Sequence, residues 1–111
     1  MVGAGARVLI NITNGAWFSR GDGAEQHWAM GSMRAIETRR YLLRAAIDGI
    51  TGVVDPLGRT TAQLPRGTEA VLAAPFALSD EVTPFVRYGH LLLPLLGAWI
   101  LLALLARFSR R

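Results

Sequence analysis

Very little in these 111 residues can do covalent chemistry, because the chain has no Cys and no Lys. A thiol nucleophile, a disulfide, a thiolate metal site and a Schiff-base amine are therefore all excluded within it. Asp22, Glu25 and His27 place two carboxylates and an imidazole within six residues. A metal site needs three or four convergent ligands, and no second cluster supplies the rest. His90 sits at the edge of an apolar tail. No Ser lies in a Gly-x-Ser-x-Gly elbow, and no Ser, His and Asp are spaced as a triad. The expectation is no catalytic residue, no metal and no cofactor in this chain. What remains is the stretch around Asn14, Trp17 and Phe18, where a polar Gly turn follows an apolar strand and two large aromatics come next. Loops usually keep bulky apolar groups elsewhere. This one either lines an acyl or other apolar pocket, or is a turn Asn followed by two core aromatics.

The charge pattern narrows the partners. All twelve basic residues are Arg and the net charge is +4, yet only four Arg lie beyond residue 66, three of them after the apolar tail. That is not the basic stripe with interleaved aromatics of a nucleic-acid surface, so no nucleic acid is expected. Length allows one domain at most. Without its apolar tail the chain would bury only roughly 60–65% of its unfolded surface, so packing against further protein is expected.

The elements that must position the loop read as mixed α/β. Gly3-Ala4-Gly5-Ala6 precedes a strand rather than following one, which rejects a dinucleotide fingerprint. Residues 7–12 form a nearly continuous apolar run, as in a strand covered on both faces. A loop over 13–23 leads to a helix over 24–40. Ala29, Met33 and Ile36 share one helical face with Met30 beside them, and Arg39-Arg40 fall in the last turn, where the dipole favours cations. Arg34 and Glu37, three apart, either pair as a solvated couple or reach a partner. Strands over 41–47 and 50–54 are joined at the hairpin dipeptide Asp48-Gly49. Asp55-Pro56-Leu57-Gly58 is a turn, 59–64 alternates as a strand, and 70–74 reads as a short strand ended by Pro75.

Residues 91–106 carry no charge, and Tyr88-Gly89-His90 extend them. Helical residues 88–106 would span about 28 Å, close to the roughly 30 Å hydrocarbon core. The division is thus a domain over 1–87, a membrane helix over 88–107 and a basic tail over 108–111. Arg107, Arg110 and Arg111 follow the helix and only Arg87 closely precedes it, so the positive-inside bias puts the tail in the cytoplasm and the domain outside. Export of that domain calls for membrane segments upstream.

Taken together, these stretches resemble one family. Ile12-Thr13-Asn14-Gly15-Ala16-Trp17-Phe18 resembles the Asn-Asp-Ala-Trp-Phe loop of the bacterial apolipoprotein N-acyltransferases, and Gln26-His27-Trp28-Ala29-Met30 is similar to their Gln-His-x-x-Met segment. Arg34-Ala35-Ile36-Glu37, Leu42-Leu43-Arg44-Ala45-Ala46, Asp48-Gly49-Ile50, Asp55-Pro56-Leu57-Gly58-Arg59 and Thr83-Pro84-Phe85 follow in order, and the final helix and basic tail fit as well. Gly15 stands where the family has Asp, and Ser19 where Gly is usual. The resemblance implies a carbon-nitrogen hydrolase (nitrilase) fold, an α-β-β-α sandwich on the periplasmic side of the bacterial inner membrane. It implies a Glu-Lys-Cys triad that takes an acyl chain from phospholipid as a thioester and passes it to the α-amino group of a lipoprotein's lipid-modified N-terminal Cys. That triad is not in this chain. The chain is therefore expected to be the C-terminal part of such a sandwich plus one transmembrane helix. Asn14, Trp17 and Phe18 would be its active-site loop and Arg34 and Glu37 scaffold near the site. Its partners would be phospholipid, lipoprotein, membrane and a separately encoded N-terminal part. A fragment of another carbon-nitrogen hydrolase such as an amidase, or a non-enzymatic membrane-anchored relic or complementing subunit, are the rival readings.

Overall fold

The computed structural model of the chain describes residues 2–15 and 22–109. After a single 3-10 turn at Val2–Ala4 come β1 (Leu9–Asn14), α1 (Gly23–Thr38), β2 (Leu42–Ile47), β3 (Gly52–Val54), β4 (Thr60–Gln63) and α2 (Pro84–Ser109). One sheet runs in the order β1-β2-β3-β4. β1 and β2 are parallel, which requires the crossover that α1 provides, and the remaining pairs are antiparallel.

Strand alternation sends Leu9, Asn11 and Thr13 to one face of β1, half-buried, and Ile10, Ile12 and Asn14 to the other, exposed. The expectation of a strand covered on both faces is thus corrected. Ile10 is 68% and Ile12 84% exposed, and Ile47 of β2, on the same face, is exposed as well. One helix layer can cover only one side of a sheet, and here it covers the side of Leu9. The result is a mixed α/β layer pair, as in the helix-and-sheet half of the expected sandwich; on its second face Ile10, Ile12 and Ile47 are exposed, while Val53 of β3 is buried.

The core under α1 joins Ala35, Leu42 and Val54, with Leu9 and Trp28 packed against them. The helix face that packs is Ala24, Trp28, Gly31 and Ala35, not the expected face of Met33 and Ile36. Met30, Met33 and Ile36 are all exposed. Small residues decide this: a Cβ on Gly31 would lie 2.9 Å from Leu42 Cδ2, so the helix lies closer to the sheet than a larger side chain would permit. α1 also stops two residues before the expected end. Arg39 takes the left-handed conformation (φ 52°), Arg39 N–H donates to Ile36 O and Arg40 N–H to Ala35 O, the two bonds of a Schellman cap. Arg39 and Arg40 therefore lie beyond the last turn.

The hairpin between β2 and β3 forms as expected, through residues 48–51. Asp48 is left-handed (φ 52°), and the Thr51 hydroxyl accepts from Ala46 N–H (3.0 Å) while donating to Ala46 O (3.3 Å). The expected strand over 70–74 is absent: no regular structure occurs between β4 and α2, and Val71 is almost fully exposed. A short apolar run with no neighbouring strand has no ladder to join.

α2 starts four residues before Tyr88. Thr83 caps it by accepting from Val86 N–H (3.1 Å), and Pro84 takes the first helical position, where its missing N–H costs nothing. The 24 residues Pro84–Arg107 are long and apolar enough to cross a membrane, and none of that span is buried in the protein.

Candidate functional site

At the carboxyl end of β1 the chain leaves the sheet through Asn14 and Gly15. The Gly15 N–H donates to Ile47 O at 2.6 Å, extending the β1–β2 ladder by one bond. Gly15 is buried, and a Cβ there would meet Asp48 O at 3.0 Å and Ile47 O at 3.1 Å. The start of the aromatic loop is thereby pressed against the β2–β3 turn. Beside it opens a cleft of about 550 Å³, bounded by Ile12, Thr13, Ala46, Asp48 and Thr51 and by the segment 64–70. Carboxyl ends of neighbouring parallel strands are the usual location of ligand sites in open α/β sheets. Trp17 and Phe18, the other two residues expected in this loop, lie outside the described residues.

Arg34 and Glu37 form an ion pair at 3.0 Å on consecutive turns of α1. The Arg34 guanidinium also lies 5.9 Å from the ring centroid of Phe85 in the first turn of α2. The backbone carbonyl of Glu37 accepts from the Thr83 hydroxyl at 2.5 Å. Both residues thus belong to the seat of α2. Asn11 and Arg34 border the same two cavities, of about 530 and 350 Å³. Asn14 lies three residues further along β1, about 10 Å away at the strand rise. The structure brings Arg34 and Glu37 together with each other and with α2.

Three buried polar residues escaped sequence reasoning. Arg40 is 2% exposed, and its guanidinium donates to the carbonyls of Ala6, Thr38, Arg39 and Glu81 and to Ser79 Oγ. It ties together the amino-terminal segment, the end of α1 and the approach to α2. Nothing distinguishes it from Arg39 in the sequence. Arg44 is also buried and donates to His27 O (2.9 Å) and to His27 Nδ1 (2.8 Å). A guanidinium only donates, so His27 Nδ1 is the acceptor in this pair. Burial pushes the Arg44 guanidinium down from its usual value. A lone charge inside Leu-Leu-Arg-Ala-Ala-Ile was its available signal.

Asp55 accepts from Leu57 N–H (2.8 Å), Arg59 N–H (2.9 Å) and Arg59 Nε (2.7 Å). Burial pushes its carboxyl up, but the Arg59 and Leu57 donors together outweigh that and hold it below the ordinary carboxylate value. Asp22, Glu25 and His27 do not converge. Glu25 pairs with Arg66 at 3.2 Å, while His27 faces Arg44, and no group able to hold a metal assembles among the described residues.

The carbon-nitrogen hydrolase family model matches residues 1–82 of the chain. Among curated proteins the chain is similar to the apolipoprotein N-acyltransferase of Nitrosomonas europaea, 42% identical over 107 residues that cover 96% of the chain and 22% of that protein. It is similar to that of Gloeobacter violaceus at 43% over 105 residues, covering 95% of the chain and 20% of that protein. The Pseudomonas putida protein of the same name is 36% identical over 100 residues, covering 86% and 20% respectively. The chain spans about a fifth of the length of the curated relatives it matches.

Proposed function

This chain belongs to the carbon-nitrogen hydrolase family, and from that premise we propose that it is the C-terminal portion of an apolipoprotein N-acyltransferase. The observation that carries the reading is similarity at 42% identity over nearly the whole chain, apolar helix included. A soluble amidase has no use for that helix. The reaction would be transfer of an acyl chain from a phospholipid ester to a thiolate, and from the resulting thioester to the α-amino group of a lipoprotein's N-terminal Cys. The thiol, its base and an ammonium near the oxyanion would come from polypeptide outside residues 1–111, since no Cys or Lys is within them.

Residues 1–111 would then contribute three things. The Asn14–Phe18 stretch would wall the acyl pocket beside the cleft at the end of β1. Arg34 and Glu37 would brace the domain on its anchor. Residues 88–107 would cross the inner membrane, with 1–87 in the periplasm and 108–111 in the cytoplasm. That boundary is supported by the contacts at the start of α2, where Phe85 lies beside Arg34 and Thr83, just before the helix, donates to the Glu37 carbonyl.

The test is transfer by residues 1–111 alone. The chain would be reconstituted in phosphatidylethanolamine vesicles with a diacylated lipoprotein peptide, and N-acylation followed by mass spectrometry. No product is expected. Product above the vesicle background would overturn the assignment of the nucleophile to a segment outside this chain.

A further inference from the structure

We propose that Thr83 is a positioning residue: its hydroxyl sets the angle between the α/β layers and α2, and with it the place of the cleft at the end of β1 relative to the bilayer. That α2 crosses a membrane belongs to the reading above; the joint itself does not depend on it.

A helix leaves its last four carbonyls without intrahelical partners. At the end of α1 these belong to residues 35–38. Ala35 O accepts from Arg40 N–H and Ile36 O from Arg39 N–H, while Thr38 O accepts from the Arg40 guanidinium. The remaining carbonyl, that of Glu37, takes the Thr83 hydroxyl proton. The same residue opens α2. Thr83 O accepts from Arg87 N–H, and Thr83 Oγ1 accepts from Val86 N–H at 3.1 Å. A hydroxyl has one proton to give and lone pairs to receive with. One buried group thus completes the end of α1 and caps the start of α2.

The approach to this joint is held as well, because the Arg40 guanidinium donates to Ser79 Oγ and Glu81 O. Arg34 over Phe85 is a further contact, but Arg34 is largely exposed and lies 5.9 Å from the ring centroid, so it restrains the angle only weakly. Residues 91–107 of α2 are exposed throughout, so the angle is set at this end. The joint and the cleft lie at opposite ends of α1. Its 16 residues span about 24 Å, so a swing of about 20° at Thr83 would carry the cleft about 8 Å.

The chain has no Cys, so a pair of nitroxide labels reads the angle directly. Gln26→Cys lies on an exposed position near the start of α1, and Leu101→Cys on an exposed position of α2. Pulsed electron paramagnetic resonance on the full chain in lipid nanodiscs, at neutral pH, should give one narrow distance distribution. Thr83→Val removes the hydroxyl. Thr83→Asp keeps an acceptor for Val86 N–H but has no proton for Glu37 O. Both should broaden the distribution at least twofold, and Thr83→Ser should keep it narrow. Unchanged amide exchange across β2 and β3 certifies that the layers of each variant are folded; if the Val variant does not fold, the Asp variant decides. A residue that only capped α2 would leave the Asp variant narrow. A broad distribution with Thr83 in place, a narrow one for either folded variant that lacks the donated proton, or one as broad for Ser as for Asp would each overturn the proposal.

Discussion

Asp55 shows how one buried side chain fixes a turn and makes it sensitive to acid. Its carboxylate takes two backbone N–H groups and the Arg59 guanidinium within the Asp-Pro-Leu-Gly-Arg turn, so the ionised form is favoured despite burial. Arg59 is largely exposed, and its ion pair adds less than about 1 kcal/mol after solvent screening. Most of the contribution comes from the backbone donors. Asp55→Asn should therefore cost about 1–3 kcal/mol at neutral pH. The folded carboxyl sits below its unfolded value, so this stabilisation is complete above the ordinary carboxylate range and is lost as the pH falls through the lowered value. Denaturant midpoints of wild type and variant, measured from pH 7 down to about pH 2, should converge at the acid end. A gap that stays constant across that range would show that ionisation of Asp55 is not what holds the turn. Gly15 is constrained differently, by proximity alone: the carbonyls of Ile47 and Asp48 leave almost no room for a Cβ. The chain at Gly15 is thus closely packed against the β2–β3 turn.

At the level of elements, α1 and its cap divide what the sequence exposes from what it hides. The existence of β1, α1, β2, β3, β4 and α2 follows from apolar period and turn residues, and each appears within a few residues of its expected place. The buried face of α1 was not legible, because hydrophobicity points to Met30, Met33 and Ile36 while the actual contact is chosen by the small residues Ala24, Gly31 and Ala35. The strand expected over 70–74 failed because an apolar run becomes a strand only if a neighbour offers its backbone. Arg39 and Arg40 were read as two cations for the helix dipole. In fact Arg39 accepts a left-handed backbone, and Arg40 turns inward to satisfy the carbonyls of Thr38 and Arg39 from outside the helix. Their substitutions should separate accordingly. Arg40→Ala strands several buried carbonyls and should lower stability by about 3 kcal/mol or more. Arg39→Gly relieves the left-handed strain and should be neutral or raise stability by up to about 1 kcal/mol. Chemical denaturation of both variants in the same detergent checks this, and equal losses would mean that Arg40 is not the clasp described here.

The whole molecule is an α/β layer pair set on a long helix. The small soluble part already led to the expectation of packing against further protein. β1 lies at the edge of the sheet, and Ile10, Ile12 and Ile47 are exposed on one of its faces. What could not be read was the seat of α2. Arg34 and Glu37 were expected as scaffold near the site, and their contacts with Phe85 and Thr83 join the domain to its anchor. A domain fixed to its helix in this way has only one side of the membrane available to it once the helix is inserted. Arg107, Arg110 and Arg111 at the far end favour the cytoplasm for the tail. Because the chain has no Cys, single cysteines report its orientation without background labelling. A cysteine at the exposed position Glu69 should react with a membrane-impermeant maleimide in intact spheroplasts of cells that express the chain together with the polypeptide proposed to supply the nucleophile. A cysteine appended after Arg111 should react only after permeabilisation. The opposite pattern would place the layer pair in the cytoplasm, away from exported lipoproteins, and would remove the acyltransferase reading along with the orientation.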